Sequence, residues 1–225
     1  MKKYILIISI FSLFFLAPAA SAQSSPEFLI SWKAENYVPG WYGGKKIPIA
    51  GTPINVSFSL IDSGKPVNLS QNSVRWHVNG NLVKNEEDGL GINKIIFSSA
   101  RNSKEALVRI SVIDYAPDLL SASIAIPIAN PETIIDSPYF NNEIAGGLSV
   151  FRAYPFFFNA NNINELNAAW KVNNENSSGG SDPWVLNLNI GTNSLSGSET
   201  VISSVIKKIS DIFETSEQKI YLSIK

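Results

Sequence analysis

Val74-Arg75-Trp76-His77-Val78-Asn79-Gly80 and Ala168-Ala169-Trp170-Lys171-Val172-Asn173-Asn174 share the core Trp-x-Val-Asn, the second copy standing 94 residues after the first. In each copy Trp and Val are two apart, so on an extended strand they share one face and the residue between them takes the other. That places Trp76, Val78, Trp170 and Val172 in the expected core, where an indole fills the space between two sheets. Each copy follows an Asn-rich loop, Asn68-Leu69-Ser70-Gln71-Asn72 or Asn161-Asn162-Ile163-Asn164-Glu165. Each loop follows a strand-like run, Ile54 to Ile61 or Val150 to Phe158. A repeat at this distance means two copies of one domain, not a solenoid of short units.

The sequence around the two copies keeps the same texture. Leu107-Val108-Arg109-Ile110-Ser111-Val112-Ile113 and Ser121-Ala122-Ser123-Ile124-Ala125-Ile126 alternate apolar with small or polar residues. That is the pattern of strands with one buried face. Turn signals such as Asp62-Ser63-Gly64, Asn79-Gly80, Asp88-Gly89 and Ser178-Gly179-Gly180 separate the runs. The expected fold class is all-β, two tandem immunoglobulin-like antiparallel β-sandwiches. Pro127 and Pro131 bracket a stiff join near Ile128-Ala129-Asn130, which sets the expected domains at 23–129 and 130–225. One segment reads two ways. Ser198 to Ser216 carries a helical stripe (Val201, Ile202, Val205, Ile206, Ile209, Ile212, Phe213), yet the repeat aligns Ser204 to Asp211 with Val108 to Asp114, a run that alternates like a strand. The strand reading is favoured, because tertiary context overrides a weak periodicity. Pro155, within Tyr154-Pro155-Phe156-Phe157-Phe158, suggests an edge or broken strand with successive rings pointing to opposite sides.

The chain has 225 residues, 18 Lys and Arg against 19 Asp and Glu, one His and no Cys, for a formal net charge of −1. Two domains of about 100 residues can each bury a core. Near-neutral charge argues against a nucleic-acid partner and against a polybasic membrane surface. The absence of Cys excludes disulfides, thiolate metal sites and Cys nucleophiles. The N-terminus reads as an address. Lys2-Lys3 precede an apolar run from Ile5 to Leu16, and Ala20-Ser21-Ala22 offers a small-x-small cleavage site, so 1–22 is an expected secretory signal with Gln23 as the new N-terminus. Left uncleaved, the same segment would be the one membrane anchor expected.

Few residues suggest chemistry. His77 falls on the strand face opposite Trp76 and is expected to be exposed, without a nucleophile-elbow motif to partner it. Glu86-Glu87-Asp88-Gly89 could offer oxygens to calcium but lacks the spacing of a calcium loop. No catalytic residues, metal or cofactor are expected. The most suggestive surface is Tyr37-Val38-Pro39-Gly40-Trp41-Tyr42-Gly43-Gly44-Lys45-Lys46. Its candidate contact residues are Tyr37, Trp41, Tyr42, Lys45 and Lys46, aromatic area beside cations, suited to an acidic glycan or the acidic surface of an envelope protein. The competing reading has Trp41 plug the end of the first sandwich.

Trp-x-Val-Asn-Gly, followed by Gly89-Leu90-Gly91 and Ile95-Ile96-Phe97, resembles bacterial immunoglobulin-like and PKD-like extracellular domains. The likeness extends to secreted proteins carrying two such domains in tandem, with a Trp-Tyr loop such as Val38-Pro39-Gly40-Trp41-Tyr42 and a Pro-bearing join such as Asn130-Pro131-Glu132. The resemblance implies the fold and a surface location, and it carries over no catalytic or binding residues. The second copy departs from it, with Asn173-Asn174 in place of Asn79-Gly80, which suggests a longer hairpin. The expected function is a non-enzymatic structural or adhesive module of the bacterial cell envelope. The alternatives are a carbohydrate-binding accessory using Trp41, Tyr42 and Trp184, or an accessory subunit of a pilus or secretion apparatus.

Overall fold

The computed structural model describes residues 25–115, 119–177, 180–191 and 196–225; the expected signal segment and its cleavage site lie outside them. The first half of the described chain forms β1 (Glu27–Ala34), β2 (Pro53–Asp62), β3 (Lys65–Pro66), β4 (Val74–Val78), β5 (Asn81–Lys84), β6 (Lys94–Ser98), β7 (Glu105–Val112) and β8 (Leu120–Pro127). The second half forms β9 (Glu132–Asp136), β10 (Glu143–Ile144), β11 (Gly147–Phe156), β12 (Leu166–Val172), β13 (Glu175–Ser177), β14 (Val185–Ile190), β15 (Glu199–Lys208) and β16 (Asp211–Ile224). Among the described residues, two short 3-10 turns, Glu86–Asp88 and Ile163–Glu165, accompany the strands, and no helix is long and apolar enough to cross a membrane.

The chain falls into two compact units, a small one that ends at Leu29 and takes in Ser59–Val67, and a large one of Ile30–Phe58 and Asn68–Lys225. In the small unit β2 turns through Ser63-Gly64, both at positive φ, and pairs Ile61 with Pro66 and Asp62 with Lys65. The large unit holds both Trp motifs.

In the large unit one sheet runs β5-β4-β7-β8, all antiparallel, and β6 lies on β2. The second motif sits in the order β10-β16-β15-β12-β13, faced by β14-β11-β9. Two sheets, the Trp strand flanked by its hairpin partner and by the next-but-two strand, and β10 running parallel to the last strand make an immunoglobulin-like arrangement. The fold is all-β, with two such antiparallel sandwiches.

The repeat holds at the level of single bonds. Trp76 is paired with Ile110 and Trp170 with Ser204, the same 34-residue step in each copy. Trp76 is fully buried, and its indole N–H donates to Ile92 O at 2.7 Å. Trp170 is 2% exposed and donates to Pro183 O at 2.9 Å. A buried indole needs such an acceptor, since its N–H left unpaired would cost about 1–3 kcal/mol. Val78 and Val172 are half-buried. The shared Asn explains itself. Asn79 Oδ1 accepts from Leu107 N and Asn173 Oδ1 from Val201 N, each at 2.9 Å. The same residues donate their own N–H to Leu107 O and Val201 O at 2.8 Å. Asn79 and Asn173 have φ near +50°, a region where Asn is among the few tolerated side chains.

Two expectations change, and the ambiguous segment resolves to the favoured strand. The second hairpin is not longer: Asn173-Asn174 turns in two residues, as Asn79-Gly80 does, because Asn174 also adopts positive φ. His77 does face away from Trp76 but is half-buried rather than exposed, with Nδ1 out of contact with solvent. The stripe at 198–216 is strand, the β15–β16 hairpin, in which Ile202 and Ile206 are fully buried while Ile209, Ile212 and Phe213 sit exposed about its tip.

Pro155 sits inside β11 without breaking it. β14 pairs with Gly147 to Arg152 and β9 with Arg152 to Phe156. Ala153 N points towards the β14 side, donating to Trp184 O, and by strand periodicity so would a donor at 155. β14 has ended there, so the missing N–H removes no ladder bond.

Candidate functional site

The segment between β1 and β2 leaves the first sandwich and lies along the end of β11. Tyr37 bridges Phe158: Tyr37 N donates to Phe158 O at 2.7 Å and Phe157 N to Tyr37 O at 2.8 Å. Asn36 is buried beside this bridge, its amide donating to Ile47 O at 2.6 Å and Phe157 O at 3.3 Å. Phe157 has φ +64°, a costly conformation for a bulky side chain. The strain has a visible effect. It breaks the two-residue alternation, so that Phe156 and Phe157 both enter a cluster with Ile49, Val38, Tyr42, Ile47 and Tyr154, while Phe158 stays in the core of the second sandwich. The expectation that successive rings would diverge is overturned for that pair.

Tyr42 stands edge-on to Phe156 and Phe157, with ring centroids 5.4 and 6.1 Å away. Its ring lies over Gly44, where a Cβ would come within 2.5 Å of it, so a side chain there would force the ring to shift. Trp41 is held edge-on by Tyr154 at 5.3 Å and Phe156 at 5.8 Å, yet 64% of it remains exposed. Both loop cations turn back to the chain. Lys45 Nζ sits 3.5 Å from the centroid of the Trp32 ring, and Lys46 Nζ donates to Asn36 O at 2.6 Å. Burial raises the Tyr37 phenol above its ordinary pKa.

A polar network lies beside the aromatic cluster. Asn159 donates its side-chain amide to Ala50 O at 2.8 Å and to Glu214 Oε2 at 3.2 Å, and accepts from Thr52 Oγ1 at 2.5 Å. Asn159 N donates to Glu214 Oε1 at 2.5 Å, and Lys208 Nζ lies 4.0 Å from that carboxylate. Burial raises the Glu214 pKa; the bonds from Asn159 and the charge of Lys208 act against it. A cleft of about 460 Å³ opens here, lined in part by Arg101, Asp211, Phe213 and Glu214.

A second groove, about 610 Å³, runs past Trp41 over Tyr154, Ile134, Asp136, Ser137, Asn142 and Ile220. The loop therefore brings Trp41 together with Tyr154 of the Tyr-Pro-Phe run and with Ile134, Ser137, Asn142 and Ile220 of the second sandwich, which sequence reasoning did not single out. Only the Pro-Phe run at 155–158 could have signalled them, as an apolar strand end in need of cover. Trp184 packs on the second core and does not join this groove.

Elsewhere the candidate chemistry is engaged locally. Arg75 clasps both carboxylate oxygens of Glu86, with Nε at 2.8 Å from Oε2, and Lys84 pairs with Asp88 at 2.7 Å. The Arg75 guanidinium bond holds the Glu86 pKa down at about 2. Burial, with Arg109 and Arg75 nearby, lowers the His77 pKa and favours the neutral ring. Among the described residues, no three His, Asp or Glu side chains gather as a metal ion would require.

Neither a protein-family model nor a curated protein sequence matches the chain. Among solved structures, the three N-terminal domains of the bacteriophage RB49 highly immunogenic outer capsid protein are similar at a TM-score of 0.43 and 12% identity, over 88% of this chain and 59% of that one. The chain thus spans less than two thirds of that structure. The mouse nectin-like molecule 4 ectodomain is similar at a TM-score of 0.35 and 10% identity, over 90% of this chain and 64% of that one. The Ig1-2 module of Drosophila Dlar is similar at a TM-score of 0.28 and 13% identity, over 90% of this chain and all of that one. The immunoglobulin-like assignment rests on strand order and pairing rather than on these likenesses.

Proposed function

We propose that this chain is an exported, non-enzymatic adhesive or structural module of the cell envelope, built as a stiff pair of domains, 23–129 and 130–225. One observation carries the reading. The Asn36–Ile49 loop is bonded and packed onto the 156–159 segment of the second sandwich, through the Tyr37–Phe158 bridge and the Phe156–Phe157 cluster. A flexible tether needs none of these contacts. A module that holds a partner at a set distance does, because contact between ordered surfaces loses less entropy on binding than contact through a floppy pair. Export by residues 1–22 and an envelope protein or glycan as partner belong to the same proposal.

The test uses the absence of native Cys. Spin labels on Ser123→Cys and Asn176→Cys, both exposed, report the distance between the two sandwiches. A narrow distribution is expected. A broad one would mean a loose tether and would end the stiff-pair reading.

A further inference from the structure

We infer that the groove under Trp41 is a binding site for a neutral oligosaccharide chain, assembled from both sandwiches. The inference rests on the proposed docking of the two sandwiches, because the groove joins Trp41 to residues of the second one, and it names the ligand class of the glycan partner proposed there. Three features of the groove point to this chemistry.

The first is a presented aromatic face. Trp41 keeps 64% of its surface exposed although two rings fix its position. Tyr42 N donates to Pro39 O at 2.9 Å, closing the turn that carries it. A pyranose has a flat C–H face that packs on an indole, and an indole already locked loses little rotamer freedom on binding.

The second is the polar rim. Asp136 offers two acceptor oxygens, Asn142 a donor and an acceptor pair, and Ser137 a hydroxyl. Asp136 and Asn142 are exposed. Sugar hydroxyls both donate and accept, so this mixture suits them, while Ile134, Ile220 and Tyr154 supply apolar walls. The volume of about 610 Å³ lies within the range of roughly 300–1,000 Å³ usual for small-ligand sites.

The third is charge. The groove lining holds one carboxylate and no cation. Arg152 is the register partner of Asp136 on β11 but is not among the residues that line the groove. Phosphate or uronate chains would meet Asp136 without a dedicated counter-charge, which favours an uncharged ligand over an acidic one.

The intact chain lacking 1–22 would be titrated calorimetrically with cellohexaose, laminarihexaose, mannohexaose and, as the charged arm, polygalacturonate. At least one neutral hexasaccharide is expected to bind. Trp41→Ala is expected to weaken that binding at least tenfold, Trp41→Phe by less, and Asp136→Ala about fivefold. Asp136 is exposed at a strand end, so its variant keeps the test open if Trp41→Ala does not fold. No binding by any neutral hexasaccharide, binding of polygalacturonate alone, or unchanged affinity in Asp136→Ala and a folded Trp41→Ala would overturn the inference. The spin-label distance separates the two failures: a broad distribution removes the groove together with the stiff pair, whereas a narrow distribution without neutral-sugar binding overturns this inference alone.

Discussion

Asn79 and Asn173 show why so short a motif persists through an otherwise divergent repeat. Each serves a turn through its backbone and a neighbouring strand through its side chain, binding Leu107 and Val201 in the same way. The indole two residues inward from the Val depends on that register. Trp76→Ala or Trp170→Ala is expected to cost about 3–5 kcal/mol, measured by denaturant unfolding, and a variant that unfolds like the parent would contradict the packing. The Trp partners differ instructively. Ile110 faces Trp76, but the matching residue beside Trp170 is Ser204, fully buried with an unpartnered hydroxyl. Ser204→Ala removes a desolvated polar group at little loss of volume, so a gain of about 1 kcal/mol is expected in the same assay. Destabilisation would show that the hydroxyl has a partner after all. At this scale much could be read from sequence, because alternation and turn propensity are local. The hydrogen bonds to Ile92 and Pro183 could not, because those acceptors are backbone atoms brought in by tertiary folding.

Elements were legible where period two held and obscure where it broke. β15 and β16 were ambiguous because Ile and Val serve either period, and only the repeat favoured strand. The 37–49 loop was legible as aromatic and turning, but its destination was not, since nothing local records that Phe157 would adopt φ +64° and turn two rings to one side. Gly44 tests the loop as packed. A side chain there would displace the Tyr42 ring, so Gly44→Ala is expected to cost about 1–2 kcal/mol, where an open loop would tolerate it. An unchanged melting temperature would mean that Tyr42 does not lie over the glycine. The turn at Glu86–Asp88 carries a pH signature. Its Glu86 pKa is depressed to about 2 in the fold, against an ordinary 4.5. The stabilisation it gives is present above the ordinary value and is lost as pH falls through about 2. The difference in melting temperature between parent and Glu86→Gln should therefore shrink on acidification below about pH 4.5, and 1 M salt should shrink it at neutral pH. A difference independent of pH would sink the assignment.

At the scale of the whole molecule, the question is whether the sandwiches share one unfolding transition. The Pro-bracketed join near Ala129 was visible in the sequence, but it supplies one parallel bridge, Ile49 to Ala129. The larger coupling runs through Asn159, which touches Ala50 and Thr52 on one side and Glu214 on the other. Asn159→Ala would leave the fully buried Thr52 hydroxyl, which still accepts from Ile49 N, without an acceptor for its own proton, and would remove one of two donors from the buried Glu214 carboxylate, whose pKa burial already raises, while the exposed Ala50 carbonyl can turn to solvent. Leaving such a buried donor unpaired costs about 1–3 kcal/mol. The loss falls on the contact between the sandwiches, not on either hydrophobic core, because Ile54, Val56 and Trp76 on one side and Phe151, Leu186 and Ile202 on the other do not depend on it. The expected result in calorimetry is therefore specific. The parent should melt in one transition, and Asn159→Ala should separate it into two, with the Trp76 and Trp170 sandwiches assigned by following Trp76→Phe and Trp170→Phe in that background. A single transition in the variant, merely shifted to lower temperature, would mean that the aromatic cluster of Phe156 and Phe157 couples the sandwiches without the polar network.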